Sequence, residues 1–182
     1  MQVLVFDDMT QCTEAEVQRM LPLVSAQRCE QAVKYKHVFG QFCCLKSWLM
    51  LHSLTGISQD WRYNEHGKPY LEGGPYFSIS HCKEGIAVAI NDTPIGIDIE
   101  AIRHANEDLI VRTMNEEERL RVTGYGLPDR MFTRLWTQKE AIVKMEGTGI
   151  ESFEQLQSII ENRKSKIDTI EKEKYIVSIA YE

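Results

Sequence analysis

The chain has 182 residues, of which 43% are hydrophobic and 26% are charged, a composition typical of a globular protein with its own core. Its formal net charge of -6 at pH 7 excludes a general nucleic-acid binder, whose affinity depends on neutralising phosphates. The sequence predicts neither a membrane span nor a signal peptide. Five cysteines without a C-x-x-C pair indicate reduced thiols, so we expect a cytoplasmic protein.

The predicted elements run as helices followed by strands, twice along the chain. In chain order they are a strand at 3–6, a helix capped at Thr13, a helical region at 26–54 capped at Ser25, strands at 76–80, 86–90 and 95–100, one or two helices at 108–122, a helix at 129–146 and a hairpin at 167–181. We expect the three middle strands to be successive antiparallel neighbours. The first helical region has a candidate break near Gly40, and residues 124–128 separate the helices at 108–122 from the helix at 129–146. This order predicts two α+β halves that meet near 91–94, with a cavity at the junction.

Two acidic residues share one face of the strand at 95–100. Its isoleucines fall on one parity, so Asp98 and Glu100 project from the other side. A cation relieves the repulsion between two such carboxylates, and oxygen ligands select a hard ion such as Mg²⁺. The alternative is that both acids belong to the solvated face of an edge strand.

A second pair of charges lies on the helix at 129–146. Glu140 and Lys144 are four residues apart at the edge of its apolar stripe, so they share a face. If this helix packs beside the strand of Asp98, then a third carboxylate and an ammonium group join the same cavity. An ordinary surface ion pair is the alternative.

Further residues are candidates for holding phosphates. Lys68 stands between Gly67 and Pro69 in a predicted turn, where an ammonium group meets an anion easily. Ser80 and His81 end a predicted strand, although an exposed loop histidine is the alternative. The basic segment 28–46 also suggests a small anionic ligand or an acidic partner. The sequence lacks a G-x-S-x-G elbow and clustered zinc ligands, so we reject a serine hydrolase and a zinc site.

Four motifs together resemble one family. They are Gly67-Lys68-Pro69, Phe77-Ser78-Ile79-Ser80-His81, Gly96-Ile97-Asp98-Ile99-Glu100 and Trp136-x-x-Lys139-Glu140-Ala141-x-x-Lys144. In order and approximate spacing they resemble the 4′-phosphopantetheinyl transferases of the surfactin-synthetase-activating type. The resemblance covers about residues 25–150, and the last two motifs are the most specific.

The resemblance implies an α+β pseudo-dimer of two similar halves, residues 1–92 and 93–182, each with an antiparallel sheet packed with helices. Such a chain is expected to be a monomer and to bind coenzyme A and Mg²⁺ between the halves. The implied metal ligands are Asp98, Glu100 and Glu140; the implied coenzyme A contacts are Arg28, Lys68, Ser80, His81 and Lys144; and the implied catalytic residues are Glu118, Glu140 and Lys144. For the proton-accepting glutamate, Glu116 and Glu117 remain alternatives to Glu118.

The implied reaction transfers 4′-phosphopantetheine from coenzyme A to a serine of an acyl or peptidyl carrier protein and releases 3′,5′-ADP. Two alternatives stay open: an inactive coenzyme A-binding relative, and a Mg²⁺-dependent hydrolase of pyrophosphate bonds. The sequence departs from the family pattern at Cys82, where a serine is common, and at Gln31, where a basic residue helps to hold the nucleotide. The change at Gln31 implies either weaker coenzyme A binding or replacement of the missing charge by Lys34 or Lys36. We expect no nucleic-acid or membrane partner.

Overall fold

The computed structural model describes residues 1–124, 126–150 and 152–182, so residue 125 of the break predicted at 124–128 lies outside the described part. Within these ranges the α-helices are α1 (Glu14–Met20), α2 (Ala26–Ala32), α3 (Val38–Thr55), α4 (Glu107–Thr113), α5 (Glu116–Gly124), α6 (Pro128–Glu146) and α7 (Phe153–Asn162). The strands are β1 (Gln2–Phe6), β2 (Arg62–Tyr63), β3 (Pro69–Tyr70), β4 (Tyr76–Cys82), β5 (Gly85–Asn91), β6 (Ile95–Ala101), β7 (Lys166–Glu171) and β8 (Tyr175–Tyr181). The α+β class is therefore confirmed.

The strands form two three-stranded antiparallel sheets of the same topology. The first sheet has the order β1-β5-β4 and the second β6-β8-β7, while β2 and β3 form a separate two-stranded ribbon. In each larger sheet the central strand is the second strand of a hairpin, β5 in the first sheet and β8 in the second. It pairs on one side with its hairpin partner and on the other with the first strand of the sheet in sequence, β1 or β6. Each sheet also receives a long helix, α3 on the first and α6 on the second.

The prediction that 76–80, 86–90 and 95–100 are successive neighbours is wrong for the last strand. β4 and β5 pair as expected, but β6 pairs with β8, from the other end of the chain. The predicted hairpin at 167–181 supplies this partner. Local alternation of apolar residues identifies a strand, but it does not identify the strand that shares its hydrogen bonds.

The first helical region is broken a few residues before the predicted position near Gly40. α2 ends at Ala32 and α3 begins at Val38, so the interruption lies before Gly40, which is inside α3. The caps predicted at Thr13 and Ser25 are confirmed, because both side chains accept a backbone N–H from the first turn of their helix. A Cβ on Gly40 would lie 2.6 Å from the ring of Tyr35, so this glycine permits close packing of the connecting segment.

The two sheets pack face to face through small and branched apolar side chains. Ile97 and Ile99 of β6 are fully buried against Ala87 and Ala89 of β5, and Val3 of β1 packs on the same cluster. The opposite face of β6 lies against α6. β6 is therefore covered on both sides, and its acidic residues face the helix rather than solvent.

Equivalent positions of the two sheets carry different side chains. Gln2–Phe6 lie opposite Ile90–Ile86 in the first sheet, and Gly96–Glu100 lie opposite Ala180–Ile176 in the second. When the strands are aligned so that Val3 and Val5 match Ile97 and Ile99, which pack in the same cluster, Asp98 and Glu100 correspond to Leu4 and Phe6. Leu4 is exposed, whereas Phe6 packs against Phe42 of α3. The acidic pair therefore occurs in only one of the two equivalent strands.

Cys12, Cys29, Cys43, Cys44 and Cys82 are all free thiols. In the described part of the chain, every helix is too short or too polar to cross a lipid bilayer.

Candidate active site

A glycine brings β6 and α6 into unusually close contact. A Cβ placed on Gly96 would lie 2.0 Å from the carbonyl oxygen of Ala141 and 2.4 Å from the amide nitrogen of Met145. These are backbone atoms that cannot rotate away, so a side chain at Gly96 is incompatible with this packing. The close approach places the strand face of Asp98 beside the helix face of Lys144.

Asp98 is the centre of the charged cluster and is only 3% exposed. Its Oδ1 accepts hydrogen bonds from Lys144 Nζ at 2.6 Å and from Ser80 Oγ at 2.8 Å. Lys144 Nζ also lies 3.0 Å from Ser80 Oγ. A solvated face for Asp98 is therefore wrong, and Lys144 pairs with this residue rather than forming an isolated surface pair with Glu140.

The other two predicted carboxylates share the electrostatic environment of Asp98. Glu100 and Glu140 are both half-buried. Burial raises the pKa of each above its usual value, and the negative charge of Asp98 raises both pKa values further. The Lys144 ammonium opposes these increases at both carboxyl groups. Three carboxylates thus concentrate negative charge around one ammonium group.

The donor set fits a divalent cation. Asp98 Oδ2 is buried and has no hydrogen-bond partner among the described residues, which is costly for a carboxylate oxygen unless another group satisfies it. Clustered carboxylate oxygens are the ligands of hard ions such as Mg²⁺. No group of three acidic, histidine or cysteine side chains in the described ranges already has the geometry of a complete metal site. The metal-ligand roles of Asp98, Glu100 and Glu140 therefore stay predictions.

Two serines of β4 connect the first half of the chain to this cluster. Ser78 Oγ accepts the backbone N–H of Ile97 at 3.0 Å, one residue before Asp98. Ser80 is 8% exposed and bonds both Asp98 and Lys144. The β4 strand therefore positions the acidic residues of β6 through hydroxyl groups.

Two neighbouring cavities meet at Lys144. One has a volume of about 320 Å³ and includes Arg28 and His81 in its lining, and the other has a volume of about 270 Å³ and includes Lys68 and Gly147. Lys144 contributes to both walls. We call them the arginine cavity and the lysine cavity.

Arg28 is fixed at the wall of the arginine cavity. The whole residue is 4% exposed, and its guanidinium forms a salt bridge of 3.0 Å with Asp60. The guanidinium carbon lies 3.7 Å from the centroid of the Trp61 ring, which is a cation–π contact. Arg28, which we expect to contact coenzyme A, therefore has a fixed orientation in the structure.

His81 lies at the mouth of the same cavity. It is exposed, and its ring contacts Phe39 edge-on with centroids 5.8 Å apart. Partial desolvation by the surrounding protein and the charge of Lys144 lower the pKa of His81 below its usual value. At neutral pH the imidazole is therefore mainly uncharged and acts as a hydrogen-bonding group rather than a cation.

Lys68 lies beside the C-terminus of α6. Its Nζ donates to the carbonyl oxygen of Met145 at 2.7 Å, and burial lowers its pKa. The same turn is held by Asn64, whose side chain donates to the carbonyl oxygen of Gly147 at 3.0 Å. The turn predicted to hold phosphates also connects the first half of the chain to the end of α6.

Glu118 lies in a different environment from the other predicted acids. Its carboxylate accepts the backbone N–H of Asn115 at 3.0 Å, which caps α5, and forms a 2.8 Å salt bridge with Lys139. Glu118 is 4% exposed, and its Oε1 is buried without a partner among the described residues. The alternatives Glu116 and Glu117 are exposed. The proton-accepting role stays a prediction for Glu118.

The sequence reasoning missed three structural partners of the predicted site. Lys139 is fully buried and donates to Leu156 of α7, a helix that was not predicted. Asp60 and Trp61 hold Arg28, but they precede a short ribbon whose pattern carries no functional signal. The only sequence signal for this role is that Asp60 directly precedes Trp61, and such a pair is too common to indicate a functional site.

Comparison with known proteins gives the same family throughout. Residues 94–179 match the model of the 4′-phosphopantetheinyl transferase superfamily. The 4′-phosphopantetheinyl transferase gsp of Aneurinibacillus migulanus is 29% identical over 151 residues, which are 76% of this chain and 64% of the relative. The 4′-phosphopantetheinyl transferase Sfp of Bacillus subtilis is 25% identical over 76% of this chain and 66% of its own length. For HetI of a Nostoc species, another 4′-phosphopantetheinyl transferase, the identity is 38% over 52% of this chain and 44% of the relative. The chain thus covers slightly less than two thirds of the first two relatives.

Proposed function

We propose that the chain is a 4′-phosphopantetheinyl transferase, which transfers the 4′-phosphopantetheine group of coenzyme A to a serine of an acyl or peptidyl carrier protein. Its similarity to that superfamily over residues 94–179 supports the proposal. The observation that carries this proposal is the electrostatic coupling of three carboxylates, those of Asp98, Glu100 and Glu140, to Lys144. Lys144 in turn lines both cavities. An anionic pyrophosphate needs cations at this point, and a carboxylate cluster supplies the ligands for one.

The arginine cavity is the proposed site of the nucleotide end of coenzyme A. Arg28 offers a permanent positive charge, and His81 offers an uncharged ring for hydrogen bonding. Gln31 lines this cavity in place of a cation and accepts a 3.3 Å hydrogen bond from Lys34. This contact supports the proposal that Lys34, rather than Lys36, supplies the missing charge at the rim. Lys68 is the proposed phosphate contact of the lysine cavity.

The proposed metal ligands are Asp98, Glu100 and Glu140, with Mg²⁺ as the ion. When bound, such an ion offsets negative charge on the pyrophosphate and on the oxygen that departs. Asp98 Oδ2 supports this assignment, since it is buried and has no hydrogen-bond partner within the described part of the chain.

The residues of the chain position and stabilise the reacting groups. The serine oxygen of the carrier attacks the β-phosphorus, the bond from that phosphorus to the bridging oxygen breaks, and 3′,5′-ADP leaves with the bridging oxygen. The ammonium of Lys144 lies beside Asp98, where it can neutralise charge on the departing group. The serine proton passes to a carboxylate, for which we propose Glu118 through water, because its Oε1 is free to accept.

A carrier protein of acidic character would dock on the second half of the chain. Arg103, Arg112 and Arg121 are exposed there, whereas Arg119 donates to the carbonyl oxygen of Met114 at 3.1 Å. Because screening weakens contacts between exposed charges, carrier affinity should fall with ionic strength while coenzyme A affinity falls less.

The division into halves at residues 1–92 and 93–182 is a proposal that the shared sheet topology supports. A chain with two such halves needs no second copy to complete the junction, so we propose a monomer. The five free thiols support a cytoplasmic location.

One assay tests the proposed reaction against its alternatives. The full chain is incubated with coenzyme A, Mg²⁺ and an apo carrier protein, and the carrier is weighed by mass spectrometry. A phosphopantetheine increment on the carrier supports the transferase, and the increment should disappear with chelator and in Asp98→Asn. Coenzyme A binding without any product indicates the inactive relative, and release of 3′,5′-ADP without carrier modification indicates the hydrolase.

A further inference from the structure

The contacts of Arg28 are unevenly distributed around its guanidinium. Nε donates to Asp60 Oδ1 at 3.1 Å, and Nη2 lies 3.0 Å from the same oxygen. Nη1 donates to the sulfur of Cys44 at 3.8 Å, and sulfur is a weak acceptor. One edge of the guanidinium is therefore held by a carboxylate, while the other has only this weak acceptor among the described residues. Arg28 and Cys44 both line the arginine cavity.

Asp60 is itself held in place. Its side chain is 6% exposed, and its second oxygen accepts a hydrogen bond from Ser25 Oγ. Ser25 is also the N-cap of α2 and accepts the backbone N–H of Arg28 at 3.0 Å. Trp61 covers the face of the guanidinium. The backbone, the carboxylate and the ring together restrict Arg28 to one orientation.

We infer that Asp60 is a positioning residue that directs the free edge of Arg28 toward a phosphate monoester, the 3′-phosphate of coenzyme A. The inference rests on the proposed function and adds a residue that determines specificity to it. Asp60 does not touch the ligand; it acts through Arg28. Because the guanidinium is already oriented, little of its rotational freedom is lost when the phosphate binds.

Two physical effects of Asp60 predict opposite results, which makes the inference testable. As a charge, Asp60 partly neutralises Arg28, so its removal would strengthen the attraction of any anion. As an anchor, Asp60 fixes the direction of the Nη1 hydrogens, so its removal would weaken a directional contact. If positioning dominates, the loss must appear only for ligands that carry the 3′-phosphate.

The experiment measures the binding of coenzyme A and of 3′-dephospho-coenzyme A by calorimetry, without a carrier protein. Wild-type protein should bind coenzyme A at least tenfold more tightly than the dephosphorylated form. Asp60→Asn should weaken coenzyme A binding about tenfold, equivalent to about 1.4 kcal/mol, and leave the dephosphorylated form within about twofold. Asp92→Asn, the same change at an exposed position, should alter neither affinity.

Unchanged or tighter binding of coenzyme A by Asp60→Asn would overturn the inference, as would an equal loss for both ligands. Ser25→Gly is the second variant, because glycine retains most of the N-cap stability but removes the hydroxyl that holds Asp60. Ser25→Gly should reduce the preference for coenzyme A over the dephosphorylated form about threefold. This variant keeps the test available if Asp60→Asn does not fold. An undiminished preference would count against the inference. Failure of wild-type protein to bind coenzyme A would refute the proposed function itself, whereas binding without preference would refute only the role given to Arg28 and Asp60.

Discussion

Replacing Gly96 with alanine tests whether the close contact between β6 and α6 builds the site. The new Cβ would lie 2.0 Å from the carbonyl oxygen of Ala141, whereas ordinary contacts begin at 3.4 Å. Strand and helix must therefore separate by about 1.4 Å at this point. Because both obstructing atoms belong to the helix backbone, a change of side-chain rotamer cannot relieve the overlap.

The magnitude follows from the cost of overpacking. Such substitutions cost about 1–3 kcal/mol, and the rigid backbone favours the upper end. For a chain of this size, about 3 kcal/mol corresponds to a fall in Tm of roughly 6–12 °C. Displacement of Asp98 from Lys144 by about 1 Å should also lower the transfer rate on the order of 100-fold.

The assay combines thermal unfolding with the carrier modification rate, both measured on the full chain. Gly124→Ala is the matched control, because a Cβ there meets nothing within 4 Å and alanine favours the helix. We expect the control to retain wild-type activity and to be equally or more stable. A Gly96→Ala protein that keeps both its Tm and its rate would refute the argument that this contact forms the site.

Three further predictions concern single side chains. Lys144→Met should lower kcat more than it weakens coenzyme A binding, measured by steady-state kinetics and calorimetry; an equal loss in both would refute a role in leaving-group departure. Glu118→Gln should lower kcat on the order of 100-fold with coenzyme A affinity unchanged, whereas a lower Tm at normal kcat would show that this residue only supports Lys139. Burial and the Asp7 carboxylate raise the pKa of Tyr175 to about 12, so its contribution to stability is present below pH 10 and is lost as the pH rises toward 12. Tyr175→Phe should remove this alkaline loss in pH-dependent unfolding, and a wild-type slope in the variant would contradict the assignment.

The sequence predicted those parts of the fold and site that depend on local pattern. The isoleucine alternation of β6 and the helical period of α6 identified the two elements that carry Asp98, Glu140 and Lys144. Both caps and the final hairpin were also local signals. Where spacing along one element decides which side chains share a face, the prediction was confirmed.

The parts that could not be predicted depend on contacts between distant segments. The pairing of β6 with β8 requires a register across about 80 residues, and nothing in β6 itself encodes it. Lys139 appeared to belong to a motif of charges, yet it is buried because α5 and α7 supply its partners. The hold of Asp60 on Arg28 likewise spans more than 30 residues.

The contacts between the two proposed halves offer a way to detect their association. Ser78 and Ser80 from one half contact the acidic strand of the other, and Asn64 and Lys68 contact the end of α6. If the chain were expressed as two separate polypeptides divided near residue 92, neither fragment would contain the complete candidate active site. Carrier modification would then report reassembly of the fragments, and mixing one wild-type piece with one mutant piece would assign each defect to its own side of the junction.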